Sequence, residues 1–252
     1  MLPVRRKAKI KDIILEKKSV IVSELAKEFT VTEETIRRDL KTLEDEGVLI
    51  RTYGGAFIQE GVQNEVNLTI RESAYVNSKT RIAEGATKLI RNGDSIFLDS
   101  STTALFIAKA IMNMRLTVMT NSLKVINLLT DSSDIRLLSV GGVYDPANMA
   151  FIGRTTLQSL DQYYVDKSFI SCRSLCIDNG ITDSNDNNAD IRKKIIERSN
   201  KTYLIADYSK FDKTSFIKIC DFDSVDGIIS DKALTKAWEQ TLQTNNVEYY
   251  HV

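Results

Sequence analysis

Four short polar runs in this 252-residue sequence have the residue types and spacing to do chemistry. The densest is Asp99-Ser100-Ser101-Thr102-Thr103, a carboxylate and four hydroxyls between a strand-like segment and an apolar helix-like one. At a strand-to-helix corner such a run turns backbone N–H groups and hydroxyls toward an anion, at the positive end of the helix dipole. Plain capping of the helix would draw on the same residues. Thr120-Asn121-Ser122 is a second polar corner. Gly141-Gly142 is a third, where backbone can approach a ligand closely. Asp207-Tyr208-Ser209-Lys210-Phe211 is a fourth, with a carboxylate and an ammonium after an apolar strand. Four such corners in one domain favour a common site over four independent turns.

Other chemistries lack their residues. His251 is the only histidine, which leaves none for a catalytic pair or a His-rich metal site. Cys172 and Cys176 have helix-face spacing inside a strand-like segment, and Cys220 is the only other cysteine. They read as small packing side chains, not zinc ligands. Neither a metal nor a cofactor is expected. The odd cysteine count fits a reducing compartment. The longest apolar run, Ala104 to Ala108, is five residues, against the roughly 20 of a membrane helix. Met1-Leu2-Pro3 leads into basic residues without an apolar signal core. A cytoplasmic protein with no membrane partner is expected. Lys+Arg and Asp+Glu are 34 each, a net charge of zero that by itself speaks against nucleic acid.

The corners need elements to hold them. Ile82, Ala86, Leu89 and Ile90 mark a helix ending at Asn92-Gly93, followed by a strand at Ser95–Asp99 and a helix from Ala104. Strand Leu116–Thr120, helix Ser122–Leu129 and strand Ile135–Val140 come next. Strand Lys167–Ser171, helix Ala189–Ser199, strands Lys201–Ala206 and Gly227–Ser230, and helix Lys232–Thr244 complete the pattern. Trp238 and Leu242 share the packed face of the last helix, and Ser184–Asn188 is a loop leading into a helix. Strands alternating with helices predict an α/β domain over 78–252, built on a mostly parallel, Rossmann-like sheet. Ligands of such sheets sit at the C-terminal ends of strands, where the four corners fall.

Residues 1–57 follow a different pattern. Ile10, Ile13, Ile14 and Lys17 share a helix face, and Ser19–Val22 is a β-branched break. Ser23–Phe29, a turn at Thr30-Val31-Thr32 and a helix from Glu33 to about Glu46 form a helix-turn-helix, with Thr32 as cap and Gly47 as stop. Ile36, Leu40 and Leu43 are its buried stripe. Thr35, Arg37, Arg38 and Lys41 lie on the exposed side, with donors for phosphates and base edges. Val48 to Phe57 reads as a hairpin turning at Gly54-Gly55, decorated by Arg51, Thr52, Tyr53 and Gly54. Residues 1–18 carry seven basic and two acidic residues, so the zero total hides a basic N-terminus. Residues 58–77 are polar and aperiodic, a linker plus a loosely packed segment.

Val22-Ser23-Glu24-Leu25-Ala26, Thr35-Ile36-Arg37-Arg38-Asp39-Leu40 and Arg51-Thr52-Tyr53-Gly54-Gly55-Ala56 together resemble the N-terminal signature of the DeoR family of bacterial transcriptional repressors. The resemblance continues from about Ser78 to Asp231 with that family's effector domain, related in fold to ribose-5-phosphate isomerase. It implies a winged helix-turn-helix that reads operator double-stranded DNA as a dimer or tetramer, and an effector domain that takes a phosphorylated sugar. By position, Ser100 to Thr103 would hold phosphate; Asp99, Asn121, Asp207 and Lys210 would face the sugar; and Gly141 and Gly142 would line the site. The chain departs from the family at Ser101, where glycine is usual, and at Asn188, where a glutamate is usual. It also departs around Arg173, which would add an anion contact or pack at the surface.

The implied function is a regulator, most simply a repressor, of carbohydrate genes. A sugar-phosphate isomerase is the enzymatic alternative, with Asp99, Asp207 and Lys210 as acid, base and electrophile. It would need a carboxylate where Asn188 stands, so no enzyme is expected. A pure oligomerisation module would not need the basic face of the third helix.

Overall fold

The computed structural model describes residues 2–58 and 66–252. They form two compact units, Met1–Val76 and Asn77–Val252.

In the first unit, α1 (Pro3–Lys17) opens with a proline at its first position, where the missing N–H costs nothing. It buries Ile10 and Ile14. The β-branched Ser19–Ile21 forms strand β1, and Val22 already belongs to α2 (Val22–Phe29). The third helix, α3 (Glu33–Asp45), is capped by the Thr32 hydroxyl, which accepts from Thr35 N at 3.3 Å. Ile36, Leu40 and Leu43 pack with Ile10, Ile14 and Leu25 in one core. The wing is β2 (Ile50–Arg51) and β3 (Gly55–Phe57), antiparallel, and β1 adds a third strand on the other side of β3. A side chain on Gly55 would stand 2.0 Å from Val20 O, so only glycine allows β1 and β3 to pair this closely.

The expected linker, 58–77, is not one throughout. Residues 59–65 lie outside the described residues. Beyond them α4 (Leu68–Ser73) forms, capped by Asn67, and Val66, Ile70 and Ala74 pack against Phe57. The first unit therefore runs to Val76 instead of stopping at 57. The apolar residues of this segment are too few and too irregularly spaced to show a helical period.

The second unit begins with α5 (Val76–Thr87) and then alternates: β4 (Ser95–Leu98), α6 (Thr102–Ala110), β5 (Leu116–Thr120), α7 (Leu123–Leu129), β6 (Ile135–Ser139). A hairpin β7 (Val143–Asp145) and β8 (Ala150–Ile152), helix α8 (Arg154–Leu160) and β9 (Val165–Ile170) follow. Then come β10 (Ser174–Cys176), β11 (Gly180–Asp183), α9 (Asp186–Glu197), β12 (Ser199–Ile205), β13 (Ile217–Cys220), β14 (Gly227–Ser230), α10 (Lys236–Thr244) and β15 (Glu248–His251). The main sheet is parallel, in the order β15-β14-β12-β9-β4-β5-β6. Alternate residues of β4 feed two cores: Phe97 packs on one side of the sheet, Ile96 and Leu98 on the other. A small antiparallel sheet, β10-β11-β13, stands apart from it.

From β4 the chain builds outward through β5 and β6, then returns to β9 on β4's other side and builds the opposite way. The gap between β4 and β9 is therefore the topological switch point, where the C-terminal ends of parallel strands open a crevice. The periodicity anticipated the buried parallel strands but not β7, β8, β10, β11, β13 or β15, which are short and partly polar. The last helix starts at Lys236 and not at Lys232, because Thr235 caps it.

Candidate functional sites

The exposed face of α3 carries Arg38 and Lys41 in solvent, with Thr35 and Arg37 half-buried beside them. Thr35 lies against the cap, its hydroxyl 2.9 Å from that of Thr32. Arg37 pairs with Glu33 one turn back at 2.7 Å. On the wing, Arg51 is clipped to α3: its Nε donates to Glu44 Oε2 at 2.7 Å and its backbone N to Oε1 at 2.9 Å. Burial alone would raise the Glu44 pKa, but these bonds outweigh it and hold the carboxyl below its ordinary value. Both ion pairs are partly exposed and cost little to open. Thr52 closes the wing turn, its N–H donating to Gly55 O at 2.8 Å, while Gly54 O accepts from Val22 N at 2.9 Å. Tyr53 stands at the tip, 92% exposed.

One basic residue counted toward the N-terminal excess belongs elsewhere. Arg6 is buried, and its Nε donates to Asp39 Oδ2 at 2.5 Å, tying α1 to α3. Its hydrogen bond to Asp39 raises the Arg6 pKa. Asp39, inside the Arg-Arg-Asp-Leu run, orients the helix from below.

In the second unit, Asp99, Asn121, Cys172 and Asp207 follow four adjacent strands, β4, β5, β9 and β12. Ser101 caps α6, accepting from Ala104 N at 3.1 Å, and its own N–H is taken by Asp99 Oδ1 at 3.0 Å. Thr102 and Thr103 are the first two residues of α6, and their N–H groups have no partner among the described residues. Together with the hydroxyls of Ser100, Thr102 and Thr103, they give the corner the donors an anion needs. Asn121 is 1% exposed; its Nδ2 donates to Phe151 O at 3.2 Å, and its Oδ1 is buried without a partner among the described residues. An orphaned acceptor of this kind is costly unless a ligand donor meets it.

Four expected residues play different parts. Asp99 does not present its oxygens to a ligand: Oδ1 holds Ser101 N, while Oδ2 accepts from Ser171 N at 2.8 Å and Arg192 Nε at 2.9 Å. Gly141 and Gly142 lie past β6, two strands from β4. A side chain at Gly142 would stand 2.0 Å from Thr156 Oγ1, so packing on α8 accounts for this glycine. Asp207 caps the turn Tyr208–Lys210, its Oδ1 accepting from Ser209 N at 3.0 Å. That bond positions Lys210.

The residue missed in the sequence is Arg192. It projects from α9 into the switch-point crevice, buried, and bridges Asp99 and Asp183. Burial opposes its charge, but Asp183 and Asp99 outweigh that and raise its pKa. Asp183 in turn accepts from Ser184 N and Asn185 N at 2.8 and 3.0 Å, and Asn185 caps α9, its Oδ1 accepting from Asn188 N at 3.1 Å. The Ser184–Asn188 stretch is thus a helix start. Cys172 lies within electrostatic reach of Lys210, Arg192, Asp183 and Asp207, so these distant positions share one space. Burial pushes its thiol up to about 12. No cluster of metal ligands occurs among the described residues, and none of their helices is long and apolar enough to cross a membrane.

Comparison with known proteins follows the same division. Residues 6–61 match the DeoR-like helix-turn-helix domain and residues 75–232 the DeoR C terminal sensor domain. The chain is 40% identical to an uncharacterized HTH-type transcriptional regulator, YulB, of Bacillus subtilis, over 98% of this chain and 96% of that protein. It is 35% identical to the L-fucose operon activator of Haemophilus influenzae, over 84% and 86% respectively. It is 29% identical to the transcriptional repressor GlcR of B. subtilis, over 98% and 96%. Among solved structures, ribose 5-phosphate isomerase A of Methanocaldococcus jannaschii overlaps 55% of each chain with a TM-score of 0.42 and 18% identity.

Proposed function

The chain belongs to the DeoR family of transcriptional regulators, and we propose that it represses carbohydrate genes under control of a phosphorylated sugar held at the β4–β9 switch point. The observation that carries the effector half is the pairing of α6's unfilled N–H groups with the orphaned Asn121 Oδ1. The first suits a phosphate, the second a sugar hydroxyl. Lys210 adds a cation to the crevice.

The DNA half rests on the exposed α3 face and wing. Thr35, Arg37, Arg38 and Lys41 enter the major groove, and Arg51 to Gly54 follow the backbone beside it. Operator half-sites then call for two or four copies of the chain. The effector acts by binding the DNA-competent and incompetent arrangements unequally.

A binding role suits the crevice better than catalysis. An isomerase needs a carboxylate free to carry a proton between adjacent carbons. Here Asp99 and Asp183 are held by Arg192 and by backbone N–H groups, and Asn188 supplies none.

The test uses duplex DNA selected from a random pool by the wild-type protein. Arg38→Ala weakens binding to the selected site by about tenfold or more, the ~1–3 kcal/mol of one base or phosphate contact. It leaves phosphate binding unchanged. Undiminished gel-shift affinity would remove α3 from the interface. Addition of the effector shifts the same gel, and a panel of sugar phosphates that leaves it unmoved would remove the effector half.

A further inference from the structure

The first helix has a second stripe. Its inner face, with Arg6, Ile10 and Ile14, is buried in the first unit. On the far side Val4, Ala8, Lys11 and Leu15 recur at i, i+4, i+7 and i+11, within about 60° of one another at about 100° per residue. All four are exposed. Val4 and Leu15 are large apolar side chains 76% and 47% exposed, and Leu2 at the cap is 67% exposed. Alternating steps of four and three are the seam of a two-helix coiled coil.

Charge along one flank of this stripe works against the helix itself. Arg5 and Lys9 stand at i, i+4 in its N-terminal half, Asp12 and Glu16 at i, i+4 in its C-terminal half. Like charges at that spacing destabilise a lone helix. Cations near the N-terminus and anions near the C-terminus also oppose the macrodipole. Lys17 suits the dipole but lies off this flank. Arg5, Lys9, Asp12 and Glu16 are exposed, and none forms an ion pair among the described residues. An antiparallel second copy answers each of these costs. Val4 then packs on Leu15 of the second copy, and Lys11 lies over its Ala8, whose small side chain leaves room for the lysine stem. The same flank meets itself in an antiparallel pair, so Arg5 falls between Asp12 and Glu16 of the second copy and Lys9 falls beside that Asp12. The two dipoles oppose. A parallel pair would bring Lys7 to Asp12 but leave Arg5, Lys9 and Glu16 unmatched. A phosphate backbone would use Arg5 and Lys9, repel Asp12 and Glu16, and give Val4 and Leu15 nothing to pack on.

We propose that the outer face of α1 is a homotypic interface: two copies of the chain pair antiparallel through Val4, Ala8, Lys11 and Leu15, with Arg5 and Lys9 of each matched to Asp12 and Glu16 of the other. Two helices ~22 Å long bury less than the roughly 1,200 Å² of a free-standing interface. The contact is therefore weak alone and closes between copies that something else already holds near each other.

The experiment is disulfide trapping in the full chain, which captures a weak contact, with the linked peptides mapped by mass spectrometry. The wild-type protein controls for the native cysteines. Val4→Cys combined with Leu15→Cys gives covalent dimers linked from position 4 to position 15, and neither single variant links through its new cysteine. The two positions are ~16 Å apart along one helix, too far for a bond within one chain. Adding Arg5→Glu and Lys9→Glu lowers the yield about fivefold or more, and adding Asp12→Lys and Glu16→Lys to these restores it to within about twofold. All six positions are exposed, and circular dichroism confirms that the variants fold. Links from 4 to 4 or from 15 to 15 make the pair parallel and overturn the inference. Absence of any link through either position overturns it too. A yield that the first charge reversal leaves unchanged, or that the second does not restore, overturns the charge matching and returns Arg5 and Lys9 to another partner such as DNA. No DNA is present in the assay, so its outcome is separate from that of the operator reading.

Discussion

Replacing Arg192 by methionine tests how much of the second unit depends on one guanidinium. The substitution keeps the length of the side chain and removes its charge. It leaves Asp99 and Asp183, with side chains 2% and 7% exposed, facing each other without their shared cation. Breaking a buried ion pair from one side costs about 3–5 kcal/mol, because the remaining charge is neither solvated nor paired. Here two carboxylates lose the same partner, which pushes the cost up. Four backbone N–H groups, from Ser101, Ser171, Ser184 and Asn185, stay bonded to them and push it down. The expected loss is about 4 kcal/mol, a large part of the 5–15 kcal/mol that stabilises a typical domain. For a unit of this size that is a fall in Tm of about 8–16 °C. Arg192→Lys keeps the charge but not the fork that spans two carboxylates, and should lose about 2 kcal/mol. The chain carries its own reporter for the assay. Trp238 is the only tryptophan, 1% exposed in the core of the second unit, edge-on to Phe211 and Phe222. Its fluorescence on heating or in urea follows that unit separately from the first. An Arg192→Met protein within 1 kcal/mol of wild type by this signal would refute the reasoning.

Other outcomes can be checked with simple measurements. Asp39→Ala removes the partner of Arg6 just beneath the surface of a small unit and should destabilise it by about 2 kcal/mol, between the exposed and deeply buried cases; far-UV circular dichroism in urea shows an earlier first transition, and an unmoved one rules out a structural role for the pair. Gly55→Ala places a methyl group against Val20 O and should cost about 3 kcal/mol, with weakened operator binding as the wing shifts; wild-type melting and DNA affinity would contradict this. With Cys172 and Cys220 both pushed up to about 12 by burial, a disulfide reagent at pH 8 should modify Cys176 first in the native protein. Rapid loss of all three thiols would show that the crevice is open. The Arg51 clip depends on a carboxylate held below its ordinary pKa, so its contribution is full above the unfolded value of Glu44 and is lost as pH falls through the folded one. Wing amides should therefore exchange faster, relative to α3 amides, below about pH 4; a constant ratio down to pH 3 counts against the clip.

What the sequence disclosed follows from how each feature is encoded. The parallel strands were legible because burial on both faces leaves near-continuous apolar runs, as in Ile96–Leu98 and Tyr203–Ala206. The recognition helix was legible because one face is apolar and the other carries cations. Arg192 was not. On a helix rich in Lys, Arg and Asp it looks like one more solvated residue, and its partners stand 9 and 93 positions away. Asp99 was found but given the wrong task, since only the structure shows both oxygens already taken. The role of Arg6 was hidden for the same reason: charge counting does not distinguish a buried pair from a phosphate contact.

The fit of α4 against the wing bears on how such regulators exchange parts. Phe57, Val66, Ile70 and Ala74 form one small cluster, and Ile70 also crowds the α-carbon of Gly55. A crossover between two relatives at residue 57 would part the wing from the helix that closes its underside and leave Phe57 uncovered. A crossover at Val76 would carry both together. The unit of inheritance is thus longer than the surface that reads DNA, and viable natural or laboratory hybrids should have their junctions near Val76, with few inside the wing-to-helix segment.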